Sequence, residues 1–220
     1  VAMNFVMKLG SLKGHSSPAL TASLFSAAAL FCLAGLLLSG QPLQSSPAVV
    51  LLAVGGGVGG AVAYFFFLSA LRVGRYALTI SIYTMAFLIP VAFSMIVWER
   101  PLTAAAGAGI ALIVGGVALI SGSASGSNNE AKAAWVKWLA LLGTAFVLTG
   151  IPQIAQAAAA RLGTINLWYF LFLTFFSGAA ALWCFIFAKA LVPRRGVFVY
   201  GGLAGLASVA EAQDDASEFR

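Results

Sequence analysis

Charge is what this chain has least of. Charged residues make up 8% of 220, with twelve Lys and Arg against only six Asp and Glu. A soluble domain carries roughly a quarter charged residues, so no water-facing surface can be assembled from this composition. Histidine occurs once, at His15, and cysteine twice, at Cys32 and Cys184. No Asp or Glu stands inside an apolar block. Metal binding, Ser-His-Asp catalysis and paired-carboxylate hydrolysis therefore have no constellation to stand on, and neither an enzyme nor a cofactor is expected. Both cysteines lie in apolar surroundings and read as small hydrophobes rather than a disulfide pair. The ten-residue polar/apolar alternation of a membrane β-barrel is missing. Basic stripes with interleaved aromatics are missing too, so the net charge of +6 is not a nucleic-acid signature. The first residues lack the charged start and cleavage site of a secretory signal.

What the chain has is apolar length. Hydrophobic residues make up 61%, and the mean hydropathy is +1.00. They gather into blocks of about twenty, the length needed to cross roughly 30 Å of hydrocarbon as a helix. Backbone groups in lipid must be satisfied internally, which selects helices. The blocks fall at 1–9, 19–38, 48–71, 76–98, 102–120, 135–160, 167–191 and 197–210. The first is too short to span and the last is a poor span, so both ends read as truncated. The expectation is an all-α, multi-pass membrane protein with about seven or eight helices. Trp98, Trp135, Trp138 and Trp168 stand near block edges, as aromatic belts do.

The stretch 121–129, SGSASGSNN, is the clearest linker. It divides the chain into a first repeat at 1–120, with its first helix truncated, a polar linker at 121–134, and an incomplete second repeat at 135–220. Lys8-Leu9-Gly10-Ser11 ends the first block and Arg161-Leu162-Gly163-Thr164 the sixth. Gly56-Gly57-x-x-Gly60 recurs as Gly201-Gly202-x-x-Gly205. With five helices before the linker, a second copy enters the membrane from the opposite side, the inverted-repeat plan of many secondary transporters.

Residues 70–121 carry a more specific pattern. Ala70-Leu71 ends the third helix, Pro90 lies within the fourth, Glu99 closes it, and Leu102-Thr103 leads into a short Gly-punctuated fifth. This stretch resembles the closing half of an EamA-type repeat of the drug/metabolite transporter superfamily. The resemblance implies ten helices in two five-helix inverted repeats, the second incomplete here. It also implies a secondary transporter, or permease, moving a small organic metabolite or drug by alternating access, in the plasma (inner) membrane.

Candidate site residues follow from polarity at membrane depth. Asn4 and Lys8 share a face one turn apart. Lys8 either meets an anionic substrate group or snorkels to the interface. Gln153 and Gln156 lie three apart just after Pro152, which frees a backbone carbonyl one turn earlier. They line a cavity or bond another helix. Thr79, Tyr83, Pro90 and Ser94 approximate one face of the fourth helix, and Tyr64 on the third joins them. The substrate-binding set is thus Asn4, Tyr64, Thr79, Tyr83, Gln153 and Gln156. Glu99 serves gating or the interface, or pairs with Arg100. The glycines at 55–60 allow close helix approach and suit a homodimer as well. That leaves a second reading, a non-transporting scaffold or oligomerisation partner. The expected partners are a small-molecule substrate and the lipid bilayer, with no nucleic acid.

Connections after odd-numbered helices hold nine of the Lys and Arg residues, including Lys8, Lys13, Arg72, Lys137 and Lys189. Positive-inside reasoning puts that side, and the linker, in the cytoplasm. The usual arrangement of the family, with its amino terminus inside, puts the linker outside.

Overall fold

The computed structural model describes residues 2–40, 46–74, 76–99, 103–104, 107–112, 115–116, 129–162, 166–190 and 196–217. Their regular structure is helical: α1 (Ala2–Leu12), α2 (Ser17–Ser39), α3 (Pro47–Val73), α4 (Tyr76–Thr84), a 3₁₀ turn (Met85–Phe87), α5 (Leu88–Val97), α6 (Asn129–Arg161), α7 (Leu167–Ala188) and α8 (Val197–Ser217). The protein is an all-α membrane protein. Five segments among the described residues are long and apolar enough to cross a bilayer: α2, α3, α4 through α5, α6 from Ala134, and α7. The apolar part of α8, Val197–Val209, is shorter. Leu38, at 88% exposed, and Ile96, at 79%, point outward with many other apolar side chains, a surface suited to lipid and untenable in water.

Local chemistry sets the helix ends. Ser46 accepts a hydrogen bond from the Val49 N–H, with Pro47 in the first turn of α3. Asn166 accepts one from the Tyr169 N–H at 3.2 Å and so caps α7. Gly40 ends α2 with φ of 58°, a left-handed conformation that glycine adopts without a Cβ penalty. Three boundaries depart from the sequence expectation. The block at 76–98 is interrupted, because Pro90 has no N–H for the Ala86 carbonyl and its ring crowds that turn. The chain answers with the 3₁₀ turn, where the Leu88 N–H donates to the Met85 and Ala86 carbonyls. Helix α6 starts at Asn129, six residues before the apolar block at Trp135. Helix α8 runs on through Ser217 because Ala, Glu and Gln are good helix formers whether or not they are apolar.

Helix directions can be read from which residues meet. Between α3 and α6, Gly56 meets Ala155 and Gly74 meets Trp138, so the two run antiparallel. Between α2 and α7, Gly35 meets Trp168 and Phe25 meets Gly178, again antiparallel. Ser23 faces Gly201 and Ala28 faces Gly205, so α2 and α8 are parallel. Helices α3 and α7 are parallel as well, Gly57 meeting Thr174 and Phe65 lying 6.2 Å from Phe185. Gly10 meets Tyr200 and His15 meets Gly196, which makes α1 antiparallel to α8.

These pairs form a pattern. Exchanging α1, α2 and α3 for α6, α7 and α8 turns the α3–α6 contact into α8–α1, turns α2–α8 into α7–α3, and leaves α2–α7 unchanged. Each exchanged pair keeps its relative direction. Following the directions around the body, α1 opposes α6, α2 opposes α7 and α3 opposes α8. The central core is shared by α2, α3, α7 and α8 through Leu24, Phe25, Phe67, Leu68, Leu182 and Ala204. Phe25 and Phe175 meet edge-on at 5.6 Å between α2 and α7.

Candidate functional site

Where α3, α4 and α6 converge, aromatic rings and uncharged polar groups meet. Tyr83 of α4 stacks on Phe67 of α3 with centroids 3.9 Å apart, and Tyr64 stands edge-on to Tyr83 at 6.5 Å. The Tyr83 hydroxyl is hydrogen-bonded to the Thr149 side chain of α6. Thr149 Oγ1 donates to the Ala145 carbonyl at 2.7 Å, which leaves its lone pairs for the phenol. One turn along α6, Gln153 Oε1 is sealed from solvent and has no hydrogen-bond partner among the described residues. A buried amide oxygen without a donor costs about 1–3 kcal/mol, so a group that supplies one gains that much here.

Proline and glycine bring α6 to this position. Pro152 breaks the helix ladder and lies against α3, where a methyl on Gly60 would come 3.4 Å from its ring. Pro152 and Ala155 face α3, while Thr149, Gln153 and Gln156 share the adjoining flank at steps of four and three. Toward the end of the same interface, buried Trp138 donates from Nε1 to Thr79 Oγ1 at 2.9 Å.

Of the sequence-derived set, Tyr64 and Tyr83 are brought together, with Gln153 and Gln156 on the helix that bonds Tyr83. Thr79 shares α4 with Tyr83, one turn away, and is engaged by Trp138. Asn4 sits on the α1 backbone, and its side chain lies outside the described residues. Lys8 does something sequence did not suggest: its ammonium donates to the Leu71 carbonyl at 2.6 Å, in the last turn of α3. Ser94 turns back to the Val91 carbonyl of its own helix. Glu99 is exposed with φ of 51° at the foot of α5. Its neighbour Trp98 carries the Arg161 guanidinium 3.9 Å above its ring; Arg100 lies outside the described residues. Gly56, Gly57, Gly59 and Gly60 each abut α6 or α7 of the same chain, while Gly55 faces open space.

The ends of α1, α3 and α7 and the starts of α6 and α8 share one side of the body, with Lys8, Lys13, Arg72, Lys137 and Lys189. At its corner, Arg72 donates to Ser11 Oγ at 3.2 Å and to the His15 carbonyl. Lys13 Nζ lies 5.5 Å above the Tyr200 ring, and the His15 ring stands 5.8 Å from the same ring. His15 is buried, although sequence placed it in a plain polar connection.

Thr149, Phe67 and Trp138 were not legible as site neighbours, since single apolar and hydroxyl residues carry no periodic signal. A short internal repeat does carry a signal. Phe25-Ser26-Ala27-Ala28-Ala29-Leu30-Phe31-Cys32 on α2 recurs on α7 as Phe176-Ser177-Gly178-Ala179-Ala180-Ala181-Leu182-Trp183-Cys184, with one residue added. The two copies touch: Trp183 Nε1 donates to Ser26 Oγ at 2.9 Å.

Among known proteins, the family model described as the EamA-like transporter family matches residues 1–122, more than half of the chain. Neither the curated proteins nor the solved structures contain a match.

Proposed function

The chain belongs to the EamA-like transporter family, and we propose that it moves a small organic metabolite or drug across the plasma membrane by alternating access between two inverted repeats. A transporter role is the family's; substrate and mechanism are our reading. The observation that carries it is the exchange pattern of helix contacts, in which every principal pair has a twin of the same relative direction. Two like halves of opposite direction supply two related arrangements of one body, as alternating access requires. The substrate would bind beside Tyr64, Tyr83, Gln153 and Gln156, with Thr79 adjoining on α4 and Glu99 at the periphery. Hydroxyl, amide and aromatic groups favour an uncharged or zwitterionic molecule that offers a donor to Gln153 Oε1. A homodimer would use the outward faces at Gly55 and Gly202, where a side chain meets open space.

Flux of labelled metabolites into proteoliposomes containing the full chain tests this reading. Uptake that falls at least tenfold in Gln153→Leu and severalfold in Tyr83→Phe, with both variants folded, supports it. A panel of uncharged and zwitterionic metabolites that stays outside the vesicles, or flux indifferent to both substitutions, refutes it.

A further inference from the structure

We propose that the corner where α1, α3 and α8 meet binds the phosphate-bearing headgroup of an anionic phospholipid. Two exposed cations frame it, Lys13 above the Tyr200 ring and Arg72 against Ser11 and the His15 carbonyl. Lys8 stands one turn before Leu12 on the same helix and is held at the Leu71 carbonyl. Among the side chains described at this end of the body no carboxylate balances these charges. The N-termini of α2 and α8 also arrive here, at Ser17 and Val197, and their unpaired N–H groups add partial positive charge. Two polar atoms of the corner, His15 Nδ1 and Ser17 Oγ, are buried without a hydrogen-bond partner among the described residues. His15 is 8% exposed and Ser17 3%. An oxyanion is the ligand that answers donors and positive charge together.

A free phosphate ion would satisfy the same donors, but the surroundings select a lipid. Leu12, beside Lys13, is 70% exposed, and Phe198 and Val199, beside Tyr200, are 53% and 62% exposed. The charged corner therefore adjoins an outward apolar face where acyl chains lie. Cations near a membrane surface attract anionic headgroups about fivefold per charge, and Lys13 and Arg72 stand at the level where helix ends leave the bilayer.

Native mass spectrometry of the full chain, released from mixed micelles of phosphatidylglycerol and phosphatidylcholine, tests the assignment. Preferential retention of phosphatidylglycerol is expected, falling about fivefold in Lys13→Gln and restored in Lys13→Arg. Arg72→Gln should lower retention as well. Because Arg72 also anchors the α1–α2 connection, Lys13→Gln carries the test. Arg161→Gln, at the opposite end, should leave retention unchanged. Equal retention of the two lipids, or no loss in Lys13→Gln, overturns the proposal. So does release of the lipid by millimolar inorganic phosphate, which would assign the corner to a soluble anion.

Discussion

A methyl group at Gly57 should separate α3 from α7. The Cβ of Gly57→Ala would fall inside contact distance of the Thr174 carbonyl oxygen and the Ser177 hydroxyl. The carbonyl is backbone in mid-helix and cannot swing aside, so the helices must part by an amount on the order of 1 Å in a close-packed interior. Overpacking of this kind costs about 1–3 kcal/mol. Ser177 Oγ also donates to the Val54 carbonyl across the interface at 3.3 Å; losing that bond adds about 0.6 kcal/mol. Gly→Ala in a helix returns about 1 kcal/mol of propensity. Gly55→Ala on the same helix gains that propensity while meeting nothing. Propensity cancels between the two variants, and Gly57→Ala should be less stable than Gly55→Ala by about 1.5–3.5 kcal/mol. Reversible unfolding in mixed micelles, titrated with sodium dodecyl sulfate, measures the difference. Equal stability within about 0.5 kcal/mol, below the smallest overpacking cost, would show that α3 and α7 do not meet at these glycines.

Trp138→Phe removes the donor to Thr79 and should lower stability by about 0.6–1.7 kcal/mol in the same titration; no change would mean the indole bond is not made in the membrane. Pro152→Ala restores an N–H to the interior of α6, so the helix should straighten and stabilise while metabolite flux falls severalfold. Unaltered flux would remove the α6 break from the transport cycle. Five described cations at the α1–α3–α7 end, against Arg161 at the other, predict that this end is cytoplasmic. A cysteine at Lys189 should then resist a membrane-impermeant thiol reagent in intact cells while one at Arg161 reacts. The reverse labelling would follow the arrangement with the linker outside.

Much of the fold was legible because hydrocarbon leaves few choices. Apolar runs of spanning length locate α2, α3 and α7 to within a few residues, since nothing else in the chain competes with helix there. Boundaries failed where the signal changed kind. Hydropathy cannot see that Asn129 or Gln213 is helical, because polar residues outside the bilayer form helices through propensity alone. Pro90 was visible, but whether a proline kinks a helix or induces a 3₁₀ turn depends on the neighbours it meets. At the candidate site, polarity at membrane depth singled out Tyr64, Tyr83 and Gln153, and the structure brings the first two together with Gln153 one turn from Thr149, the partner of Tyr83. Polarity could not foresee Phe67 or Thr149, whose importance comes from α4 and α6 arriving at the same place. Lys8 shows the limit most plainly. The two sequence readings sent its charge to a substrate group in the cavity or to the interface, whereas its ammonium meets the Leu71 carbonyl, one of the last four of α3 that lack an intrahelical partner.

The twin interfaces are alike in direction and unlike in chemistry, and that difference bears on how such a body would move. A transporter that alternates between two arrangements needs them within a few kcal/mol of each other. Contacts that the exchange of halves maps onto themselves, as it does the α2–α7 pairing as a whole, would be similar in either arrangement and set no preference. Preference must come from contacts that only one twin owns. On α3–α6 these are Pro152 against Gly56 and Gly60, and Trp138 against Gly74. On α1–α8 they are His15 and Lys13 on Tyr200, an interface that opens to lipid and carries positive charge. The first is held by apolar packing of Pro152 and Ala155 on glycine. The second presents the exposed Lys13 beside the Tyr200 ring, so a headgroup bound there as proposed would add to that interface. Lipid composition would therefore act on the balance between the two arrangements through α1–α8 alone, leaving α3–α6 and the Tyr83–Thr149 bond as they are.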